Sequence, residues 1–285
     1  MAFYALPLAM ALLEASLSQL TGTEDGTADA VYVPPDTEMI YLAQESLLAS
    51  QVSALRDANP EMVELFALLG AGHPYQTVFR REVEAVAGLL ENAYGAQGRI
   101  IKLVNSAAAH TAYPLLNRTN LQAAVDALSQ TMDEDDVLLL FLTSHGSPGR
   151  LNILFDGLIG RDLTPSDIDE ALSTGGVKNV IIILSACYSG SFVDELARPE
   201  RLVLTAARHD RTSFGCAHEN EWTNWGRAFF AQALSDERDP RRAAEIAQEI
   251  VAKLEAKGGL TPSEPQISIG AAIGPALDAL IQGSP

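Results

Sequence analysis

The strongest pattern in the chain is a set of short runs that are apolar at every position. Val137–Leu142 (VLLLFL) and Val180–Leu184 (VIIIL) are the clearest, and Glu64–Gly70, Ile100–Val104, Leu202–Thr205 and Gln266–Gly270 are weaker versions. Runs of this length without alternation predict strands buried on both faces. Between them the apolar spacing turns helical. Residues 77–94, 116–132, 222–235 and 241–256 predict amphipathic helices, the second with Thr119 or Asn120 as its cap. Thr164-Pro165 opens another, with proline at its first position. Leu151–Ile159 reads as a hairpin turning at Asp156-Gly157. Ahead of the first strand, residues 38–58 carry Ile40, Leu47, Leu48, Val52 and Leu55 at helical spacing and stop before Asn59-Pro60. Strands buried on both faces and alternating with helices predict an α/β fold with a mainly parallel sheet covered on both sides.

In such sheets the working site lies beyond the carboxyl ends of the central strands. The third strand runs into Thr143-Ser144-His145-Gly146-Ser147, and the fourth into Ser185-Ala186-Cys187-Tyr188-Ser189-Gly190. Two adjacent parallel strands would therefore present an imidazole and a thiol on one edge. A thiol needs a base to become a nucleophile, and the departing amine needs an acid; one histidine can serve both. Glycine after the histidine allows close approach of backbone, and the N–H groups of Gly146 and Cys187 are natural donors to an oxyanion. Each piece also has a plainer reading. A cysteine closing a buried strand is commonly a small core residue, and His-Gly commonly a turn.

At these residues the sequence resembles the legumain family of cysteine peptidases, in the clan that also holds caspases, gingipains and the catalytic subunit of GPI transamidase. The likeness rests on VLLLFLTSHGS and VIIILSACYSG, with 42 residues from His145 to Cys187. It extends to Val78-Phe79-Arg80-Arg81-Glu82, to Thr205-Ala206-Ala207, and to Ser213-Phe214-Gly215-Cys216 with Glu219, and covers about residues 62–270. The wording of HPYQTVFRREVEAV and TAARHDRTSFGC resembles the bacterial branch most.

The resemblance implies a caspase-like three-layer sandwich on a six-stranded sheet. It implies Cys187 as nucleophile of a thioester acyl-enzyme, His145 as general acid and base, Gly146 and Cys187 N–H groups as oxyanion hole, and no metal or organic cofactor. Legumains hold asparagine at the cleaved position with an arginine and two acids. Arg80 matches that arginine and Glu219 one acid, while Ser185 stands where legumains have glutamate, a loss that would shift preference from Asn toward Asp. The family's helper asparagine is here Val78. The implied activity is an endopeptidase cutting peptide or protein substrates after Asn or Asp. A transamidase or ligase using the same acyl-enzyme, or a silent binding module with this fold, are the alternatives.

Composition narrows the partners. Lys and Arg number 19 against 37 Asp and Glu, a net charge of −18, which argues against sequence-independent nucleic-acid binding. Two cysteines exclude a disulfide framework and a four-cysteine zinc site. No histidine pair has H-E-x-x-H spacing, and no phosphate-loop motif occurs. Met1–Leu13 is apolar but too short to span a membrane, and no basic residue precedes Arg56, so it reads as an arm rather than a secretory signal. With the linker-like stretch Thr21–Asp36 it gives an arm and linker over 1–36 and a peptidase domain over 37–285. Few cysteines favour the cytoplasm over the periplasm or a tether through an upstream anchor.

Overall fold

A computed structural model of the chain describes residues 36–155, 157–158 and 160–283. The apolar arm and most of the linker stretch lie outside the described residues. The chain divides into Met1–Pro34 and Pro35–Pro285, and every described residue belongs to the second unit.

Six strands form one sheet: β1 (Leu65–Ala71), β2 (Ile100–Val104), β3 (Val137–Thr143), β6 (Asn179–Ser185), β7 (Arg201–Thr205) and β8 (Gln266–Ile269). Their order is β2-β1-β3-β6-β7-β8, parallel except for β8, which runs antiparallel to β7. The two runs that are most apolar in sequence, β3 and β6, sit in the middle and are buried at every position. Alternate residues face opposite layers. Leu139 and Phe141 of β3 join a core with α2 (Thr77–Ala93), the helical stretch after Thr223, α8 (Pro240–Gly258) and α9 (Gly274–Gly283). Leu138, Leu140 and Leu142 join the other core, under α3 (Arg118–Ser129), α4 (Pro165–Thr174) and the short α5 (Val193–Leu196). The result is the expected three-layer α/β sandwich.

Several local details differ from the sequence expectation. The first helix, α1, spans Thr37–Ser53 and ends well before Asn59-Pro60. Its continuation is drawn away by tertiary bonds: Arg56 N–H donates to Gly98 O at 2.8 Å and Ala58 N–H to Thr131 O at 3.2 Å. Gln51 at its end mimics a strand neighbour, bonding both the N–H (2.8 Å) and the carbonyl (2.9 Å) of Lys102 on the edge strand β2. The cap of α3 is Asn117, whose side chain accepts Asn120 N–H at 2.8 Å, rather than Thr119 or Asn120. Asn120 is used elsewhere, donating its amide to Leu115 O and Gln44 Oε1. A hairpin does follow β3, but it pairs β4 (Gly146–Ser147) with β5 (Arg150–Leu151) and turns at Pro148-Gly149. Gly149 has φ +69°, the left-handed region that glycine adopts without strain. Asp156, at the turn that the sequence suggests, lies outside the described residues. After Thr223 the chain forms α6 (Asn224–Gly226), a π-helical segment Arg227–Ala233, and α7 (Leu234–Asp236). The π-segment buries both Phe229, which stacks on Trp225, and Phe230, which meets Phe141 edge-to-face. Among the described residues no helix is long and apolar enough to cross a membrane.

Candidate functional site

The register of the central strands decides where the reactive side chains fall. Thr143 of β3 pairs with Ser185 of β6 as the last pair of that ladder, and Ser144 N–H then donates to Ser185 O at 3.2 Å. His145 and Cys187 each follow two residues beyond that pair, so both emerge at the same edge from neighbouring strands. Gly146 packs against the second loop: a Cβ there would overlap the Cys187 carbonyl oxygen and sit 3.1 Å from Ala186 Cβ. Glycine at this position is thus required by the approach of the two loops.

His145 is half-buried. Its Nε2 lies 3.1 Å from Gln76 Oε1, from the residue that precedes α2. A proton on Nε2 is held there, which leaves Nδ1 as the basic nitrogen. Phe79 and His73 meet the imidazole edge-to-face, with ring centres 5.3 and 4.7 Å away. Burial pushes the His145 pKa below its usual 6.5. It pushes His73 further, down to about 4, with His145 adding a smaller charge effect.

Cys187 is also half-buried and is held by the segment that follows β7. Ser213 N–H donates to its Sγ at 3.3 Å, the Ser213 hydroxyl lies 3.7 Å away, and the sulfur is 3.5 Å from Ser213 O. Immediately after the cysteine, Tyr188 takes a left-handed conformation, φ 58°, and donates its N–H to Arg211 O at 2.7 Å. A non-glycine residue rarely adopts this geometry. Here it turns the chain sharply from β6 into the single helical turn Ser189–Phe192 and leaves Cys187 at the bend. The second cysteine, Cys216, is half-buried, and burial, with a further contribution from Cys187, raises its pKa.

The residues expected to shape a specificity pocket are more scattered. Arg80 binds Glu84 on its own helix, Nη1 to both carboxylate oxygens at 2.8 and 3.1 Å, and Tyr113 donates its hydroxyl to the same carboxylate. Its Nε is buried without a partner among the described residues. Arg81 instead reaches the loop that carries Glu219, donating to Asn220 O at 3.0 Å and His218 O at 3.3 Å. Glu219 itself is exposed, with no ion pair among the described residues. The Ser185 side chain is buried and lies 3.0 Å from Thr223 Oγ1, so it faces the protein's interior network.

His145, Gly146 and Cys187 therefore share one edge of the sheet, whereas none of the contacts given above for Arg80, Ser185 and Glu219 links one of them to another. Sequence reasoning missed Gln76, His73 and the grip of Ser213 on sulfur, all of which depend on contacts across the fold. It also missed the burial of Glu82, although a signal was present: a carboxylate on the apolar stripe Val78, Phe79, Val83, Val86 and Leu90.

The arrangement is that of an imidazole and a thiol on one sheet edge with backbone N–H groups beside them, suited to acyl transfer. No curated protein matches the chain in sequence. Among solved structures, caspase-1 from Spodoptera frugiperda is similar with a TM-score of 0.51 and 14% identity, over 73% of this chain and 87% of that one. The structure of pro-sf-caspase-1 aligns with a TM-score of 0.49 and 13% identity, over 73% and 91%. At such identity the likeness to caspase-1 is one of fold. The Peptidase C13 family model matches residues 115–273, more than half of the chain and including both strand ends described above. On that match the chain belongs to the Peptidase C13 family, the legumain family of cysteine peptidases, whose substrates are peptides or proteins.

Proposed function

We propose that this protein is an endopeptidase that cuts after Asn or Asp through a Cys187–His145 dyad. The observation that carries the reading is the Thr143–Ser185 register, which sets both side chains on one edge of the sheet. In the acylation step Cys187 Sγ attacks the scissile carbonyl carbon while His145 Nδ1 takes the thiol proton. The oxyanion is met by the N–H groups of Gly146 and Cys187. Collapse breaks the C–N bond, His145 returns the proton to the departing amine, and a thioester is left on Cys187. Water then attacks the thioester as His145 removes its proton; the acid product leaves and the thiol is restored. Gln76 supports this by fixing the imidazole so that Nδ1 is the free base. The depressed pKa of His145 supports it too, since the neutral imidazole is the form that accepts the thiol proton.

Arg80 and Glu219 are the proposed specificity residues, with Ser185 in place of the family's glutamate favouring Asp over Asn. Digestion of a proteome-derived peptide library by wild type, Cys187→Ala and Arg80→Ala, read by mass spectrometry, tests both parts. New termini sharing Asn or Asp at the cleaved position should appear with wild type, vanish with Cys187→Ala and lose that preference with Arg80→Ala. Cleavage that persists in Cys187→Ala would refute the nucleophile.

A further inference from the structure

Glu82 is a carboxylic acid set into the core. It projects from the apolar face of α2 and is completely buried. No Lys or Arg among the described residues pairs with it. Instead it accepts three hydrogen bonds: Oε2 from the Thr143 hydroxyl at 2.6 Å, and Oε1 from the Thr223 hydroxyl at 2.7 Å and the Thr223 N–H at 3.1 Å. Burial pushes its pKa up to about 6, with those three bonds pulling the other way. Room for it is made by Gly226, where a Cβ would overlap Glu82 Oε1.

The partners of Glu82 lie on the chain segments that carry the reactive groups. Thr143 ends β3, two residues before His145. Thr223 Oγ1 is 3.0 Å from the hydroxyl of Ser185, which ends β6 two residues before Cys187. Thr223 also closes the segment that starts at Ser213, the residue that holds the Cys187 sulfur. One side chain therefore ties together the strand of the imidazole, the strand of the thiol and the segment beside the thiol.

We propose that Glu82 is a positioning residue for this site: through Thr143 and Thr223 it fixes the ends of β3 and β6 and the Ser213–Thr223 segment in one mutual geometry. The inference rests on the reading of Cys187 and His145 given above. It assigns separate duties to the two links. The Thr143 link holds the His145 strand, so its loss falls on kcat. The Thr223 link holds the segment whose Ser213 grips the Cys187 sulfur, so its loss falls on the reactivity of the thiol.

The test compares Glu82→Gln, Glu82→Leu, Thr143→Val and Thr223→Val with wild type. The readouts are kcat and KM on a peptide that wild type cleaves, and the rate at which iodoacetamide labels Cys187, measured on the peptide that contains it so that Cys216 is scored apart. Glu82→Leu is expected to slow labelling and lower kcat/KM at least tenfold. Thr143→Val should lower kcat with little change in labelling, and Thr223→Val should lower kcat and slow labelling of Cys187, while Glu82→Gln, which still accepts from Thr223 through Oε1 and donates to the Thr143 hydroxyl through Nε2, stays within threefold of wild type. A purely structural role would not produce that split or that rescue. If Glu82→Leu fails to fold, the two valine variants, each removing one hydroxyl, carry the test. Values within threefold of wild type for the Leu and both Val variants overturn the inference, as does a Gln variant as impaired as the Leu variant. Labelling also separates this inference from the nucleophile reading. Hydrolysis that survives Cys187→Ala sinks that reading, yet slowed labelling of Cys187 in Thr223→Val would still uphold the positioning of the thiol.

Discussion

The buried carboxyl of Glu82 makes a thermodynamic prediction that needs no substrate. Its pKa rises from the usual 4.5 to about 6 on folding, because burial disfavours the charged form more than three hydrogen bonds favour it. A group whose pKa is raised in this way keeps its proton longer in the folded protein than in the unfolded chain. Its contribution to stability is therefore best at acid pH, falls as pH rises through the window from 4.5 to about 6, and levels off above it. The gap between the two pKa values corresponds to about 2 kcal/mol of stability lost between acid and neutral pH. Glu82→Gln cannot titrate and escapes that loss. Any change in hydrogen bonding or packing that glutamine introduces shifts its stability by an amount independent of pH, and every other titrating group cancels between the two proteins. Urea unfolding of wild type and Glu82→Gln, at about pH 4 and about pH 7.5, isolates the contribution of this one carboxyl. The stability of the variant relative to wild type should rise by about 2 kcal/mol between the two conditions, or about 4–8 °C in Tm for a domain of this size. A difference that stays constant with pH, or moves the other way, would refute the assignment of Glu82 as the charged acceptor at neutral pH.

Gly146→Ala must push the Cys187 carbonyl aside by roughly an ångström to restore ordinary contact, and a displacement of that order is expected to cost about 10²-fold in kcat/KM. Gly88→Ala on α2 meets nothing within 4 Å and is the matching control; it should leave activity unchanged and add about 0.5–1 kcal/mol of stability. Because burial lowers the His145 pKa, the acid limb of the kcat/KM profile is expected below the ordinary histidine value of 6.5. Gln76→Ala frees the Nε2 proton and should lower kcat by about 10-fold or more without changing the unfolding midpoint; an unchanged kcat would remove Gln76 from the mechanism. Leu140→Ala, at the fully buried middle of β3 between Leu68 and Ile182, is expected to destabilise by about 2–5 kcal/mol in urea unfolding.

Much of this architecture is written locally in the chain. VLLLFL and VIIIL have no polar face to offer solvent, and their shortness and β-branched content favour strands covered on both sides, which belong at the centre of a parallel sheet. His145-Gly146 and Cys187 follow those runs directly, and the rule that sites gather at the carboxyl ends of parallel strands singles them out. The capping of α4 is similarly local: Thr164, Pro165 and Asp167 form a capping box within four residues. Where local signals competed with distant partners, the distant partners prevailed. The helical spacing of residues 38–58 favours a longer helix than α1, but bonds to Gly98 and Thr131 take its last residues. Asn117 rather than Thr119 caps α3 because Asn120 is engaged by Gln44 and Leu115.

What tertiary structure alone decided is how the site is held. Cys187 meets Ser213 across 26 residues, His145 meets Gln76 across 69, and Glu82 meets Thr223 across 141. No periodicity or propensity links positions so far apart, because those patterns record only what neighbours along the chain prefer. Such pairs are fixed by strand register and by helices closing over both faces of the sheet. Arg80 and Arg81 show the two cases side by side: the pairing of Arg80 with Glu84 is an i,i+4 contact that helical spacing alone provides, while the turn of Arg81 toward Asn220 follows from how α2 packs. The sequence by itself determined the strands, their burial and the chemistry at their ends; the packing of α2 and of the Ser213–Thr223 segment against those ends determined the geometry in which that chemistry can act.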